Sequence, residues 1–282
     1  DELNKSKDEL AAYSKSIEEQ EKKRAKDREN RIAKADKALK DYQKQLPKKQ
    51  SEWEKKQDLK LKWHILKPTK LAATGGVTLT NNNDGTVTSS KKGNKSIYTI
   101  TTETALKDIS AVRLEALTDK SFPRNGPGRH TDGNFVLTEF EVRVAPKSDP
   151  KKVTKLKLVK SVANFTQKNF NIATTVDGRP DGRNGWAVSP QGGKEHWATF
   201  QLEKPVANPK GSIVTITINH SFNQNKPFRF GKFRLSLASS KKPTGLSLTE
   251  SLAAIIRTPV DKRSKDQLAK LKTAYQLTDK TL

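Results

Sequence analysis

Two hydrophobic periodicities divide the chain: a heptad pattern at the N-terminus and an alternation of period two from Trp63 onwards. Residues 1–46 contain neither glycine nor proline and are rich in good helix formers. Apolar residues recur there at seven-residue steps, at Leu3, Leu10 and Ile17 and then at Ile32, Leu39, Leu46 and Trp53. The pattern predicts a charged, coiled-coil-like helical region over residues 1–60, broken or kinked at Pro47. We expect a helical hairpin or a helix packed on a partner segment, with a self-dimerising coiled coil as the alternative.

The second pattern predicts an antiparallel β-sandwich or jelly roll over residues 61–240. Asp84-Gly85 between two alternating segments is a strong hairpin signal, with strands predicted at 76–80 and 86–90. Val214, Ile216 and Ile218 form one wholly apolar strand face, which we expect to face the core. The other predicted strands are Ser96–Thr102, Ala111–Leu117, Asn134–Val144, Lys155–Ser161, His196–Leu202, Ser212–Asn219 and Gly231–Ala238.

The pattern becomes helical again over residues 241–282. A short helix is predicted from Leu248 to Arg257, with Thr249 or Ser247 as its N-cap and Pro259 ending it. A second helix is predicted to start at Ser264. Helices on both sides of a β body suggest that the body is an insertion in a larger helical framework.

Charge is the strongest feature of the composition. The 282 residues carry a formal net charge of +24, and only 32% are hydrophobic. Residues 59–240 hold 29 basic and 13 acidic side chains, a net charge of +16. Such a surface attracts polyanions, which include nucleic acid, anionic lipid and sulfated or uronic polysaccharide. High solubility in a salty environment is the alternative explanation.

The absence of cysteine excludes disulfides, thiolate catalysis, cysteine-ligated zinc and a CxxCH haem attachment within this sequence. The chain also has no methionine, which suggests a fragment of a longer protein. It has no signal peptide and no apolar run near eighteen residues in length. We therefore expect a soluble fragment whose export signal, if any, lies elsewhere.

The segment from Ile172 to Trp197 favours recognition over catalysis, because glycine-rich loops carry arginines and two tryptophans there. Trp186 and Trp197 are candidates for stacking on sugar rings, and a core position is the alternative for each. Arginines in loops suit the carboxylate or sulfate groups of an acidic glycan, and bracing salt bridges are the alternative. The remaining candidate ligand-binding residues are Arg124, Arg129, His130, Arg179 and Arg183.

Signals for other functions are weak. Glu139 and Glu141 lie on one strand face, whereas a glycosidase needs carboxylates on either side of a cleft. The four histidines show no metal-ligand spacing, and no Ser-His-Asp arrangement can be argued. Nucleic acid is an unlikely partner, because no zinc-finger, RNA-recognition or helix-turn-helix signature is present.

Several segments resemble a region of large, multidomain, secreted cytochrome-type proteins of Planctomycetes, over about residues 59–240. The segments that carry the resemblance are Trp63–Pro68, Tyr98–Ile100, Val112–Leu117, Gly126–Arg129, Gly133–Phe140, Asp177–Gly178, Gly185–Ala187 and Gly231–Ser236. The Asp-Gly…Trp part also resembles the discoidin or galactose-binding-like fold.

The resemblance implies an exported protein in which a module similar to carbohydrate-binding modules lies between helical domains, near a haem domain. It also implies a structural calcium ion at Asp177, for which a turn-capping aspartate is the alternative. We expect no other cofactor in this segment, since it has no haem motif. The predicted function is noncatalytic binding of an anionic polysaccharide. The alternative is a structural spacer that positions the other domains of the parent protein.

Overall fold

The computed structural model describes residues 2–57, 62–180, 184–223, 225–239, 250–276 and 279. The chain divides into two compact units, Asp1–Lys55 and Lys56–Leu282. The second unit is mostly β, with antiparallel strands, and it also contains two helices near the C-terminus. The strands are β1 Trp63–Ile65, β2 Pro68–Ala73, β3 Leu79–Asn81, β4 Thr86–Ser89, β5 Ser96–Thr104, β6 Asp108–Leu117, β7 Val136–Leu137, β8 Glu139–Pro146, β9 Thr154–Lys155, β10 Leu158–Ala163, β11 Trp186–Ala187, β12 His196–Ala207, β13 Ser212–His220 and β14 Lys232–Ala238.

The first unit is a single helix, α1, from Glu2 to Lys55. Of the predicted break or kink at Pro47, the break is wrong, because the helix continues through this proline, whereas the kink stays a prediction. A proline removes one backbone donor, and the helix formers on both sides are sufficient to continue the turns. The predicted hairpin within this region is therefore also wrong. The heptad positions Leu3, Leu10 and Ile32 are exposed along the helix.

A five-stranded sheet has the order β2-β5-β13-β8-β9. In β13, Val214, Ile216 and Ile218 are buried, which confirms the predicted core face. The intervening Thr215 and Thr217 lie opposite Thr101 and Thr99 of β5 on the outer face. The period-two pattern therefore assigned both faces of this strand correctly.

A seven-stranded sheet has the order β10-β12-β6-β14-β4-β3, and β1 also pairs with β14. The predicted hairpin is confirmed as β3 and β4, with Gly85 in the left-handed region at φ 78°. Asp84 supports the turn, because its Oδ1 accepts a hydrogen bond from the Thr86 backbone nitrogen at 3.0 Å. Trp63 at the start of β1 is the Cα partner of Ala238 at the end of β14. The β body thus begins and ends at neighbouring positions.

Inward side chains of the two sheets contact one another in one hydrophobic core. Phe140 of β8 stacks on Phe200 of β12 with ring centroids 4.1 Å apart. Tyr98 of β5 stacks on Phe233 of β14 at 5.8 Å. These contacts fix which ends of the strands, and so which loops, come together.

The predicted strand over residues 134–144 is divided in two. At Thr138 the backbone nitrogen donates to the Asn219 carbonyl oxygen at 2.8 Å, and the chain changes partner there. The segment before this point, β7, pairs with β11 in a two-stranded sheet, whereas β8 pairs with β13. This change of partner places β11, and with it Trp186, against the core.

Two helices follow the β body, α2 from Glu250 to Arg257 and α3 from Lys265 to Gln276. Ser264 forms a capping box with Gln267, since each side chain bonds the other residue's backbone nitrogen. The predicted helix start at Ser264 is confirmed, whereas the predicted caps Ser247 and Thr249 lie outside the described residues. Within the described part of the chain, no helix has the length and apolar character needed to cross a membrane.

Candidate functional site

A fully buried arginine organises the loops at one end of the β body. Arg229 is 0% exposed, and its guanidinium donates to the carbonyl oxygens of Ser90, Lys91, Lys92 and Gly93 at 2.6–3.0 Å. Its Nη1 also donates to Ser89 Oγ at 2.8 Å. Backbone carbonyls carry only partial negative charge, so this cage satisfies the donors without neutralising the cation.

A second arginine reaches the same serine. Arg129 Nε donates to Ser89 Oγ at 3.4 Å, and its Nη2 donates to the Ser89 carbonyl oxygen. The guanidinium lies over the ring of Phe122, 3.9 Å from the ring centroid. Burial first, and then the charge of Arg229, lower the pKa of Arg129. Within the described residues neither arginine forms an ion pair with a carboxylate.

Arg129 lines an open cavity of about 470 Å³. The other lining residues are Lys91, Ser121, Phe122 and Pro123. Lys91 is exposed, and its carbonyl oxygen is held by Arg229, so the buried cation positions the loop that presents this lysine. Two cationic side chains and a hydroxyl therefore meet at a concave surface that has Arg229 behind it. Such a surface favours an anionic group.

A row of aromatic rings lies next to the arginine pair. His130 stacks on Phe228 with centroids 3.8 Å apart, and Phe222 and Phe170 continue the row at 5.3 Å and 5.6 Å. The Arg129 backbone nitrogen donates to the Arg229 carbonyl oxygen, so the two arginines and the two stacked rings occupy neighbouring positions of paired segments. His130 Nδ1 also contacts Asp132 Oδ1 at 2.5 Å. His130 is thus half-buried in a ring cluster.

The structure corrects the surface role predicted for Trp186. This indole is 0% exposed and packs edge-on against Phe135 at 4.9 Å. Its Nε1 donates to the Phe165 carbonyl oxygen at 2.8 Å. The pairing of β11 with β7 directs the side chain inward, so stacking on a sugar ring is excluded and the alternative core position is confirmed. Trp197, by contrast, is half-buried.

The predicted loop arginines do not form one cluster. Arg124 is exposed and follows Pro123, which lines the arginine cavity, but Arg124 is not itself a lining residue. Arg179 is exposed in the turn after Asp177, which lines a different cavity. Arg183 lies outside the described residues. Of the predicted arginines that the structure describes, only Arg129 lies in the cavity next to Arg229.

Asp177 acts as the cap of its own turn, because its Oδ1 accepts a hydrogen bond from the Arg179 backbone nitrogen at 2.9 Å. It lines a cavity of about 450 Å³ together with Glu139 and Glu141. Calcium takes six to eight oxygen ligands. Among the described residues, however, no group of three or more acidic, histidine or cysteine side chains is arranged to hold a metal. A calcium ion held by Asp177 and by backbone carbonyls of its loop therefore stays a prediction.

Glu139 has a perturbed carboxyl group in that cavity. Burial raises its pKa to about 7, and the charges of Asp177 and Glu141 add to the effect. One oxygen accepts a hydrogen bond from the Gly178 backbone nitrogen at 3.2 Å, whereas Oε2 is buried with no partner among the described residues. The folded protein therefore holds this proton more tightly than the unfolded chain does.

Replacing Glu139 with glutamine should stabilise the protein in a pH-dependent way. A raised folded-state pKa means that stability falls as pH rises from about 4.5 to about 7 and stays low above it. After allowing for solvent screening of a half-exposed group, we expect a gain of about 1 kcal/mol, or roughly 2–4 °C in Tm, at pH 8. Thermal unfolding at pH 5 and pH 8 measures the effect, which should be much smaller at pH 5.

Glu203→Gln is the control for this experiment, because the hydrogen bond from Lys157 lowers the pKa of Glu203. Removing the Glu203 carboxylate should leave Tm at pH 8 unchanged or slightly lower. An equal gain for Glu139→Gln at both pH values would contradict the assigned pKa.

Sequence reasoning missed Lys91, Phe122 and Arg229 at the arginine cavity, and it missed the three phenylalanines of the ring row. Lys91 stands in a Lys-Lys-Gly loop. Two phenylalanines of the row, Phe222 and Phe228, stand close together between β13 and β14, which was an available signal of aromatic enrichment. The pairing of residue 229 with residue 89 has no local signal, since the two positions are 140 residues apart.

Comparisons with known proteins give no family. No protein-family model matches the chain, and no curated protein matches it. Among solved structures, the catalytic domain of a GH87 alpha-1,3-glucanase in complex with nigerose is similar at 11% identity and a TM-score of 0.22. The match covers 66% of this chain and 29% of the glucanase chain, so it spans less than a third of that protein's length. A likeness of this size carries no argument about fold or activity.

Proposed function

We propose that residues 63–238 form a noncatalytic β-sandwich of the jelly-roll type that binds an anionic polysaccharide, sulfated or uronic. The observation that carries the proposal is the arginine pair at Ser89, which forms no ion pair with a carboxylate among the described residues. One member of the pair, Arg129, lines a cavity with Lys91. The proposal includes export and a place beside other domains of a parent protein, as the sequence resemblance implies.

The chemistry of the cavity supports an anionic group of a sugar rather than an uncharged one. An arginine offers five N–H donors in a planar fork. Arg129 uses Nε and Nη2 on Ser89, which leaves Nη1 for a ligand oxygen. Lys91 adds a second charge at the rim, and the Phe122 ring forms an apolar wall. A sulfate or carboxylate on a sugar has both the charge and the adjoining apolar C–H surface for this combination.

The ring row formed by Phe170, Phe222, Phe228 and His130 supports a chain-like ligand. Two of its members, His130 and Phe228, are the chain neighbours of Arg129 and Arg229 on paired backbone segments. The wider positive charge of the body would raise the rate of encounter with any polyanion. Only the shaped contacts at the cavity would distinguish one polyanion from another.

Binding of the full chain to a heparin-type sulfated glycan, to polygalacturonate and to neutral dextran tests the proposal, at low salt and at about 0.5 M salt. We expect one anionic glycan to stay bound at high salt, and Lys91→Ala to weaken it about tenfold by removing a charge-assisted hydrogen bond. Lys210→Ala is the matched control, because it removes an exposed lysine at the turn before β13. It should change the affinity less than twofold.

Two results would contradict the proposal. Equal binding to every polyanion, including a DNA duplex, with complete loss at high salt would reduce the interaction to nonspecific attraction. No binding to any glycan would favour the structural spacer instead. One observation supports the spacer independently: Trp63 and Ala238 are paired, so a β body with adjacent ends can be inserted between helices.

A further inference from the structure

The outer face of the seven-stranded sheet carries a second cluster of aromatic and charged side chains. Strand register brings them together: Glu115 of β6 lies opposite both Trp197 of β12 and Arg234 of β14. Arg113 lies one row further along β6, opposite Ser236. Trp63 belongs to β1, which pairs with β14, and its side chain packs against Ala111 and Ala238. Of these residues, only Trp197 was a candidate from the sequence, for stacking on a sugar ring.

Arg113 holds the two indoles in place. Its guanidinium carbon lies 4.4 Å from the ring centroid of Trp63 and 5.1 Å from that of Trp197. Arg113 is 3% exposed, and burial lowers its pKa to about 10, so it remains cationic at neutral pH. A desolvated cation between two rings gives a strong cation–π contact. Both indoles therefore have fixed positions before any ligand arrives.

A cavity of about 470 Å³ opens beside Trp63. Arg234 and Glu115 form a bidentate pair at its floor, with Nε–Oε2 and Nη2–Oε1 distances of 2.8 and 3.0 Å. Glu115 thereby offsets one of the three cationic side chains that line this cavity, Lys62, Arg113 and Arg234. The residues that line the cavity are Lys62, Trp63, Ile65, Arg113, Glu115, Arg234 and Ser236.

This cavity differs from the arginine cavity because a carboxylate, that of Glu115, is among its lining residues. At Ser89, two guanidiniums lie without a carboxylate, whereas here the carboxylate of Glu115 takes two hydrogen bonds from Arg234. A carboxylate–guanidinium pair offers acceptor and donor atoms side by side, which matches adjacent sugar hydroxyls. An indole offers a flat apolar surface, which matches the C–H face of a pyranose ring. The volume lies within the range of small-ligand sites.

We propose that this cavity is a second saccharide site, which binds a neutral pyranoside. The sugar ring stacks on Trp63, and its hydroxyls bond to Glu115, Arg234 and Ser236. The site stands on its own residues and does not depend on the anionic site at Arg129. Its binding should be insensitive to salt, because the ligand is uncharged.

Tryptophan fluorescence of the full chain tests this proposal with cello-, malto- and xylotriose as probes. We expect one triose to change the emission with an affinity that varies less than twofold between low salt and about 0.5 M salt. Trp63→Ala should weaken binding more than tenfold, and Glu115→Gln about tenfold. Lys91→Ala is the control and should leave this affinity unchanged, because Lys91 lines the other cavity.

Trp63→Phe is the second variant, in case Trp63→Ala misfolds. It keeps an aromatic face, so its affinity for the triose should be higher than that of Trp63→Ala. The proposal is overturned if no triose changes the emission, or if the Trp63→Ala protein, folded by circular dichroism, binds as well as the parent chain. Salt-dependent binding that is lost in Lys91→Ala would also overturn it, because the ligand would then lie at the arginine cavity. Absence of triose binding would not change the result for the anionic glycan, and absence of anionic-glycan binding would not change the result for the triose.

Discussion

Replacing Arg229 with methionine should lower the free energy of unfolding by roughly 3 kcal/mol. The change removes a fully buried guanidinium that holds the carbonyl oxygens of residues 90–93 and the Ser89 hydroxyl. Methionine fills similar space but donates no hydrogen bond, so those acceptors lose their partners. For a body of this size we expect Tm to fall by about 6–12 °C. Thermal unfolding measures the loss.

Hydrogen exchange adds a local test of the same substitution. Amides of the loop that contains Lys91 and Gly93 should exchange faster in Arg229→Met, because the cage fixes that loop. Arg179→Met is the control, since Arg179 is exposed, and its effect should stay within about 0.5 kcal/mol. A Tm for Arg229→Met close to that of this control would show that the cage is not a stabilising element.

Trp186→Ala should lower the free energy of unfolding by about 3–5 kcal/mol, as expected when a buried aromatic side chain is removed from a core. The indole is fully buried, packs against Phe135 and donates to Phe165. Truncation would therefore leave a cavity and an acceptor without its donor. Denaturant unfolding gives the measurement.

Trp186→Phe separates packing from recognition. It keeps a ring against Phe135 but removes the Nε1 donor, so its cost should be smaller than that of Trp186→Ala. Affinity for the anionic glycan should stay within twofold of the parent chain, because Trp186 does not reach the surface. A large loss of affinity in a well-folded Trp186→Phe protein would restore the surface role predicted from the sequence.

The elements that follow from local pattern were predicted well. The Asp84-Gly85 turn, the start of the last helix at Ser264 and the inward face of β13 are all confirmed, since each depends on residues within a few positions of one another. The break at Pro47 was wrong because the local cost of one proline was weighed without the long helix-forming sequence around it.

The candidate sites were predicted less well, for a physical reason. Glycine, arginine and tryptophan in one segment indicate loops and strand ends, but they do not say which side chain points inward. Trp186 faces the core because β11 pairs with β7, and the register of that pair is not visible in the segment itself. Arg129 was found from its loop composition, whereas its partner Arg229 was not.

The sequence by itself determined the mainly β character of the central body, the inward face of its regular strands and its large positive charge. The β character and the inward face follow from side-chain alternation between neighbouring residues. The charge follows from the numbers of acidic and basic residues, which simply add. Only the tertiary structure decided which cations and rings meet. Arg229 reaches Ser89 across 140 positions, and Trp63 meets Arg113 through the pairing of β1 with β14 and of β14 with β6. Such contacts depend on sheet order and register, which are set by packing of the whole core.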